Sequence, residues 1–174
     1  MATKRLFLLR HAQASHEFGE GTDADRPLAE RGQQDALLAG EWLSKHYPED
    51  VHVYASSSKR TRETYLGLSE SVQYDVQFEE GLYLASQGEL LHGIQELPEA
   101  QEHVMILGHN PGLHQLAMTL SDTSTIPAEH RDALIDYPTC ALLVLQFENT
   151  VWRDIQLQTG KWEAYWCPHS AELN

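Results

Sequence analysis

The chain has 174 residues, 41% of them hydrophobic, enough to bury a sound core, and residues 1–174 read as one domain. Its 12 Lys and Arg against 26 Asp and Glu leave a net charge of −14 with histidine neutral, and its pI is about 5.0. A surface this acidic argues against nucleic acid and anionic membranes as partners, since both demand a basic face.

The first apolar run, Arg5–Leu9, reads as a buried strand and is too short for a signal-peptide core. Ala36, Ala39, Gly40, Leu43 and Tyr47 recur at helical spacing and predict a helix from about Glu30 to His46, stopped by Pro48. Strands are expected at Val51–Ala55 and Gln73–Phe78, with a helix between them starting near Ser58 or Lys59. Ser86-Gln87-Gly88-Glu89 is a capping box, in which Ser86 and Glu89 satisfy each other's free backbone N–H groups. The helix it opens buries Leu90, Leu91, Ile94 and Leu97 and ends at Pro98. After a strand at Val104–Leu107, Asn110 reads as the N-cap and Pro111 as the first residue of a helix carrying Leu113, Leu116, Ala117 and Leu120. Two last strands, Ala141–Phe147 and Val151–Leu157, are expected to form an antiparallel edge hairpin across Glu148-Asn149-Thr150.

Alternating strands and helices predict an α/β fold, a three-layer α/β/α sandwich with a mostly parallel central sheet. One capped helix fills the stretch between the third and fourth strands and the other connections read as short, so no large lid insertion is expected. Cys140 in an apolar strand and Cys167 in the tail fit no metal spacing and are expected as reduced thiols. No segment is long enough to span a membrane, and a soluble, cytoplasmic monomer is expected.

The chemistry gathers at strand ends. Arg10-His11 follows the first strand, Ser56-Ser57-Ser58-Lys59-Arg60 the second, and His109 the strand ending at Leu107-Gly108. In open α/β sheets ligands bind outside the carboxyl ends of the strands. A single histidine there is more often a scaffold residue; two histidines and two arginines converging there are hard to explain by packing. Arg60 and His109 also stand beside helix N-termini, whose free N–H groups favour an anion. The set suits phosphoryl chemistry with an imidazole nucleophile, cationic clamps and no metal.

Four segments carry a resemblance: Leu9-Arg10-His11-Ala12, Asp25-Arg26-Pro27-Leu28-Ala29-Glu30-Arg31-Gly32, Ser56-Ser57-Ser58-Lys59-Arg60 and Leu107-Gly108-His109-Asn110-Pro111-Gly112. In this order they resemble the histidine phosphatase superfamily, with its phosphoglycerate mutase-like fold. Within it they look like the small SixA-type phosphohistidine phosphatases, over a span from about Leu6 to about Gly160. The resemblance implies that His11 attacks phosphorus to form a phosphohistidine intermediate. Arg10 and Arg60 would hold the phosphoryl oxygens, their planar forks matching phosphate. His109 would donate to the transferring group, and Asn110 would line the substrate site. No cofactor or metal is implied.

Arg60 rather than Arg62 fits the spacing from Ser56, and Arg62 reads as a solvated helix charge. Thr61 departs from the family's usual alanine, and Ala12 stands where many members have glycine but SixA-type members commonly have alanine. For the proton donor Asp23 is preferred to Glu80. Arg26 either contacts phosphate or pairs with Asp23 or Asp25. The expected substrate is phosphohistidine on a protein. The alternatives are small phosphomonoesters or sugar phosphates, or a phosphohistidine-binding module without turnover, which the filled catalytic positions disfavour. The remaining histidines (His16, His46, His52, His92, His103, His114, His130 and His169) read as bland. Trp152, Trp162, Tyr165 and Trp166 read as packing at the sheet edge and tail, and the tract Glu96 to Glu102 as a solvated helix end.

Overall fold

A computed structural model describes residues 3–48 and 50–168, so His169 lies outside the described residues. The elements run β1 (Lys4–Arg10), α1 (Glu30–His46), β2 (His52–Ser56), α2 (Lys59–Ser69), β3 (Asp75–Glu79), α3 (Gln87–Gln95), β4 (His103–Gly108), α4 (Gly112–Leu120), β5 (Leu142–Phe147) and β6 (Lys161–Trp166), with 3₁₀ turns in the connections. They form one six-stranded sheet in the order β3-β2-β4-β1-β5-β6. The first four strands are mutually parallel, and β5 and β6 are each antiparallel to the preceding neighbour in that order.

Strand β1 shows why there are three layers. Its residues alternate between faces. Leu6 and Leu8 enter the core with Leu90 and Ile94 of α3 and Leu113, Leu116 and Leu120 of α4. Phe7 and Leu9 enter the opposite core with Ala36, Ala39 and Leu43 of α1 and Leu68 of α2. The predicted sandwich and its phosphoglycerate mutase-like sheet are what the chain forms. Helix α1 and the Ser86–Glu89 capping box also stand as the sequence predicts. Tyr47 caps α1, and Pro48 follows.

Four expectations are corrected. The segment Val151–Leu157 is no strand: Trp152–Asp154 form a 3₁₀ turn, because the Trp152 side chain is fully buried and its indole N–H donates to the carbonyl of Gln101. The partner of β5 is instead Lys161–Trp166, whose Trp162 and Trp166 pack against opposite cores. Helix α4 begins at Gly112 with Pro111 as its N-cap, and the Asn110 side chain turns its amide N–H to the carbonyl of Tyr137 instead of capping the helix. Cys140 lies before β5, buried in a turn with φ 62°, and its backbone N–H donates to the His11 carbonyl.

The connections are not all short either. Residues 12–29 and 121–141 are long, lacking apolar periodicity, and both border the carboxyl ends of the strands. The first is clasped by an isolated antiparallel bridge between Ala14 and Leu28. Two glycines let connecting segments lie directly on helices. A Cβ on Gly32, in the first turn of α1, would stand 2.2 Å from the Gln13 carbonyl oxygen, and one on Gly112 would stand 1.9 Å from that of Ala85. No helix among the described residues is long and apolar enough to cross a membrane.

Candidate active site

Sheet register builds the site. Arg10 pairs with Gly108, and the His11 N–H donates to the Gly108 carbonyl at 3.1 Å, so His11 and His109 leave adjacent parallel strands side by side. Ala55 of β2 pairs with Leu107, which places Ser56 next to the same point. Three strand ends are therefore level, and the two imidazole centroids lie 5.1 Å apart.

Each ring is held by one nitrogen. Nδ1 of His11 lies 2.7 Å from the Ala12 carbonyl oxygen, which can only accept, so Nδ1 carries the proton and Nε2 keeps the lone pair. Ala12 is fixed in turn by its N–H donating to Thr64 Oγ1. Nδ1 of His109 lies 3.4 Å from Nη2 of Arg60, which can only donate; Nε2 of His109 then donates to Ser56 Oγ at 2.8 Å. Both rings are buried. Burial pushes the His11 pKa down to about 4 against the bond to Ala12, with Arg60, Arg10 and Arg26 adding to the drop. Burial, then His11 and Arg60, push His109 down to about 3. Both are neutral at pH 7.

The cations surround them. Arg10 donates from Nη1 to the Tyr137 carbonyl, the same oxygen that accepts from Asn110 Nδ2, both at 2.9 Å. Arg10 Nε and Asn110 Oδ1 are buried with no hydrogen-bond partner. A buried guanidinium N–H left open is costly unless a ligand meets it. Arg60, buried in the first turn of α2, donates from Nη1 to the Asp23 carbonyl at 2.7 Å and from Nη2 to Asp23 Oδ2 at 3.1 Å. Arg26 donates from Nη1 to Asp23 Oδ1 at 3.1 Å, which decides its pairing in favour of Asp23 rather than Asp25. A cavity of about 410 Å³ opens over these groups, lined among others by Arg10, His11, Arg26, Arg60, His109 and Asn110, and no carboxylate among the described residues lines it. It is a positive well in a chain of net charge −14.

The two candidate proton donors part ways here. Asp23 is brought to the site, but Tyr83 donates to its Oδ2 at 2.6 Å, and that bond, with those from Arg26 and Arg60, holds its carboxyl down at about 2. In this arrangement the carboxyl is ionised at neutral pH and anchors both arginines. Glu80 is exposed in the 3₁₀ turn after β3 and does not line the cavity. Arg62 is exposed, bonded to the Ser57 carbonyl and stacked on Phe78. Thr61 fits without crowding, fully buried with its hydroxyl beside the Ser56 and Ser58 carbonyls.

Sequence reasoning missed several participants. Ser56 lay inside a quoted motif but received no role. Tyr83, which also sets its ring edge-on to His109 at 5.4 Å, and Tyr137, which acts through its carbonyl, belong to no motif. His16 lines the cavity, although nothing in its sequence context marks it. A larger groove of about 600 Å³ between α1 and α2, lined by Leu37, Leu66, Glu63 and Glu70, gathers no convergent cations and is set apart from the histidines. Among the described residues no group of three or more His, Cys, Asp or Glu is arranged to hold a metal ion.

Two neutral histidines ringed by arginines at the strand ends of an α/β/α sandwich make a site suited to phosphoryl transfer. Residues 6–105 match the histidine phosphatase superfamily (branch 1), and the chain belongs to that superfamily. An uncharacterized protein of Mycobacterium tuberculosis is 30% identical over 151 residues, 85% of this chain and 92% of that one. A structure from Nakamurella multipartitia assigned as the phosphohistidine phosphatase SixA is 26% identical with a TM-score of 0.82, covering 97% of this chain and 98% of that one. The protein histidine phosphatase SixA complexed with tungstate is 19% identical with a TM-score of 0.72, over 98% and 99% of the two chains, and shares the fold.

Proposed function

We propose that the protein removes phosphate from phosphohistidine on a protein, with His11 as nucleophile and no metal. The observation that carries this reading is the state of Asp23. Asp23, which anchors Arg26 and Arg60, accepts from three donors, and among the described residues no carboxyl lines the cavity, so no carboxylic acid is placed to protonate a leaving group. An ester leaves as a poor alkoxide and needs a proton. A phosphohistidine protonated at its other ring nitrogen needs none. The likeness to the Nakamurella structure supports the same substrate.

In the first step the Nε2 lone pair of His11 forms a bond to phosphorus as the substrate's N–P bond breaks. The electron pair stays on the departing nitrogen, and the protonated ring leaves as neutral imidazole. Water then attacks phosphorus, the P–Nε2 bond breaks back onto His11, and the surplus water proton passes to phosphate or solvent. Arg10, Arg60, Arg26 and Asn110, which line the cavity, hold the oxygens, the main lever in phosphoryl transfer. A proton carried in on the phosphoryl group passes to Nδ1 of His109 as Arg60 Nη2 turns from that nitrogen to a phosphoryl oxygen, and the protonated ring then donates from Nδ1.

The test compares a phosphohistidine-bearing protein with a panel of phosphomonoesters in wild type and Asp23→Asn. Wild type should favour phosphohistidine, and the substitution should change both substrates in the same proportion. Faster turnover of a phosphomonoester, lost selectively in Asp23→Asn, would restore Asp23 as donor and favour the small-phosphomonoester reading.

A further inference from the structure

Leu82, Tyr83 and Leu84 point three ways. Leu82 packs against the α3–α4 core and Tyr83 reaches Asp23, while Leu84 joins neither core and lines the mouth of the catalytic cavity, 52% exposed. The backbone of Leu84 has φ 52°, in the left-handed region that glycine and asparagine enter readily and a leucine does not. A strained residue with an unburied apolar side chain beside a polar anion site gains nothing for the fold. Such outliers persist where function holds them. The other groups at the cavity are arginines, histidines, amides, Thr139 and the buried Ala14, so Leu84 is the one large apolar side chain among the described residues that line it.

We infer that Leu84 is a docking residue for a protein substrate, packing against an apolar side chain that flanks the phosphohistidine on that protein's surface. This rests on the phosphohistidine reading above. The left-handed turn aims the leucine outward at the rim, where a phosphoryl group seated between Arg10 and His11 would bring the surrounding protein surface. A free amino acid or metabolite has no such surface and would leave the leucine in water.

The experiment measures kcat/KM on a panel of phosphohistidine-bearing phosphotransfer domains and on free phosphohistidine, which has the same leaving group without the protein. Wild type is compared with Leu84→Gly, Leu84→Asn and Leu84→Met. In the glycine and asparagine variants the protein-to-free ratio should fall roughly tenfold through KM, the scale of losing one leucine contact, and methionine should retain it. Both variants accept the backbone conformation, so their Tm should equal or exceed that of wild type. An unchanged ratio, an equal loss on both substrates, or a marked fall in Tm would each overturn the inference while leaving the proposed reaction standing. A wild type inactive on every phosphohistidine protein but active on phosphomonoesters would overturn both.

Discussion

One wall of the cavity, the strand ends carrying Arg10, His11, Ser56 and His109, is positioned by the ladder of a buried parallel sheet. The opposite wall, built by residues 12–29, 80–86 and 121–141, is positioned by side chains: Arg60 reaches across the gap to Asp23, Arg10 and Asn110 reach across to Tyr137, and Tyr83 bonds Asp23 within the wall. The first wall cannot shift without breaking backbone pairing. The second can be retuned one hydrogen bond at a time. Bond-making chemistry therefore belongs to the sheet, and control of charge and selectivity to the connections.

The largest expected effect lies on the sheet wall. His11→Ala should cut turnover by more than roughly a thousandfold, with no phosphate trapped on the protein after alkaline quenching, because the bond-forming atom is gone. Near-wild-type turnover in that variant would break the division between the walls at its root. Arg60→Lys, which keeps the charge but loses the fork joining the two walls, should cost roughly a hundredfold in kcat/KM. A loss within twofold would mean that charge alone suffices there.

On the connection wall the effects should be smaller. Tyr83→Phe removes the leading bond to Asp23, so the Asp23 carboxyl, followed by NMR, should titrate above its value of about 2 while turnover falls by only roughly fivefold. An unmoved titration would show that the arginines alone set it.

The two histidines also predict a pH response. Each has its folded pKa pushed below the ordinary value of 6.5, so the unfolded chain binds more protons from that value down to about 4 for His11 and about 3 for His109. Their contribution to stability is complete above pH 6.5 and is lost as pH falls through those values. His109→Gln should flatten that slope in denaturant titrations, and an unchanged slope would place the acid sensitivity elsewhere. In the active range, kcat/KM corrected for spontaneous hydrolysis should keep its acid limb near pH 4 rather than 6.5. The smallest expected effect is none: activity should survive thorough EDTA treatment, and a loss reversed by a divalent ion would sink the metal-free assignment.

The same division explains what the sequence revealed. Arg10, His11, Arg60 and His109 were legible because each follows a short apolar run or opens a helix, and hydrophobic periodicity locates such ends. The position of Asp23 was legible but not its protonation state, which depends on Tyr83, 60 residues away in the chain. The carbonyls of Ala12 and Tyr137 carry no residue signature at all, so no motif could have announced them. Val151–Leu157 misled because a buried tryptophan in a 3₁₀ turn has the same composition as an edge strand.

The close seating of Gln13 on Gly32 and of Ala85 on Gly112 has a mechanical consequence. At both places main chain rests on main chain, with no side chain between to act as a spring. The aperture of the cavity is thus set by incompressible spacers of fixed thickness. A methyl group at either glycine would have to lift its segment by about 1 Å, a misplacement that in an active site can cost a hundredfold in rate. Two helix positions that never face the substrate consequently act as gauge blocks for the distance between nucleophile and phosphorus.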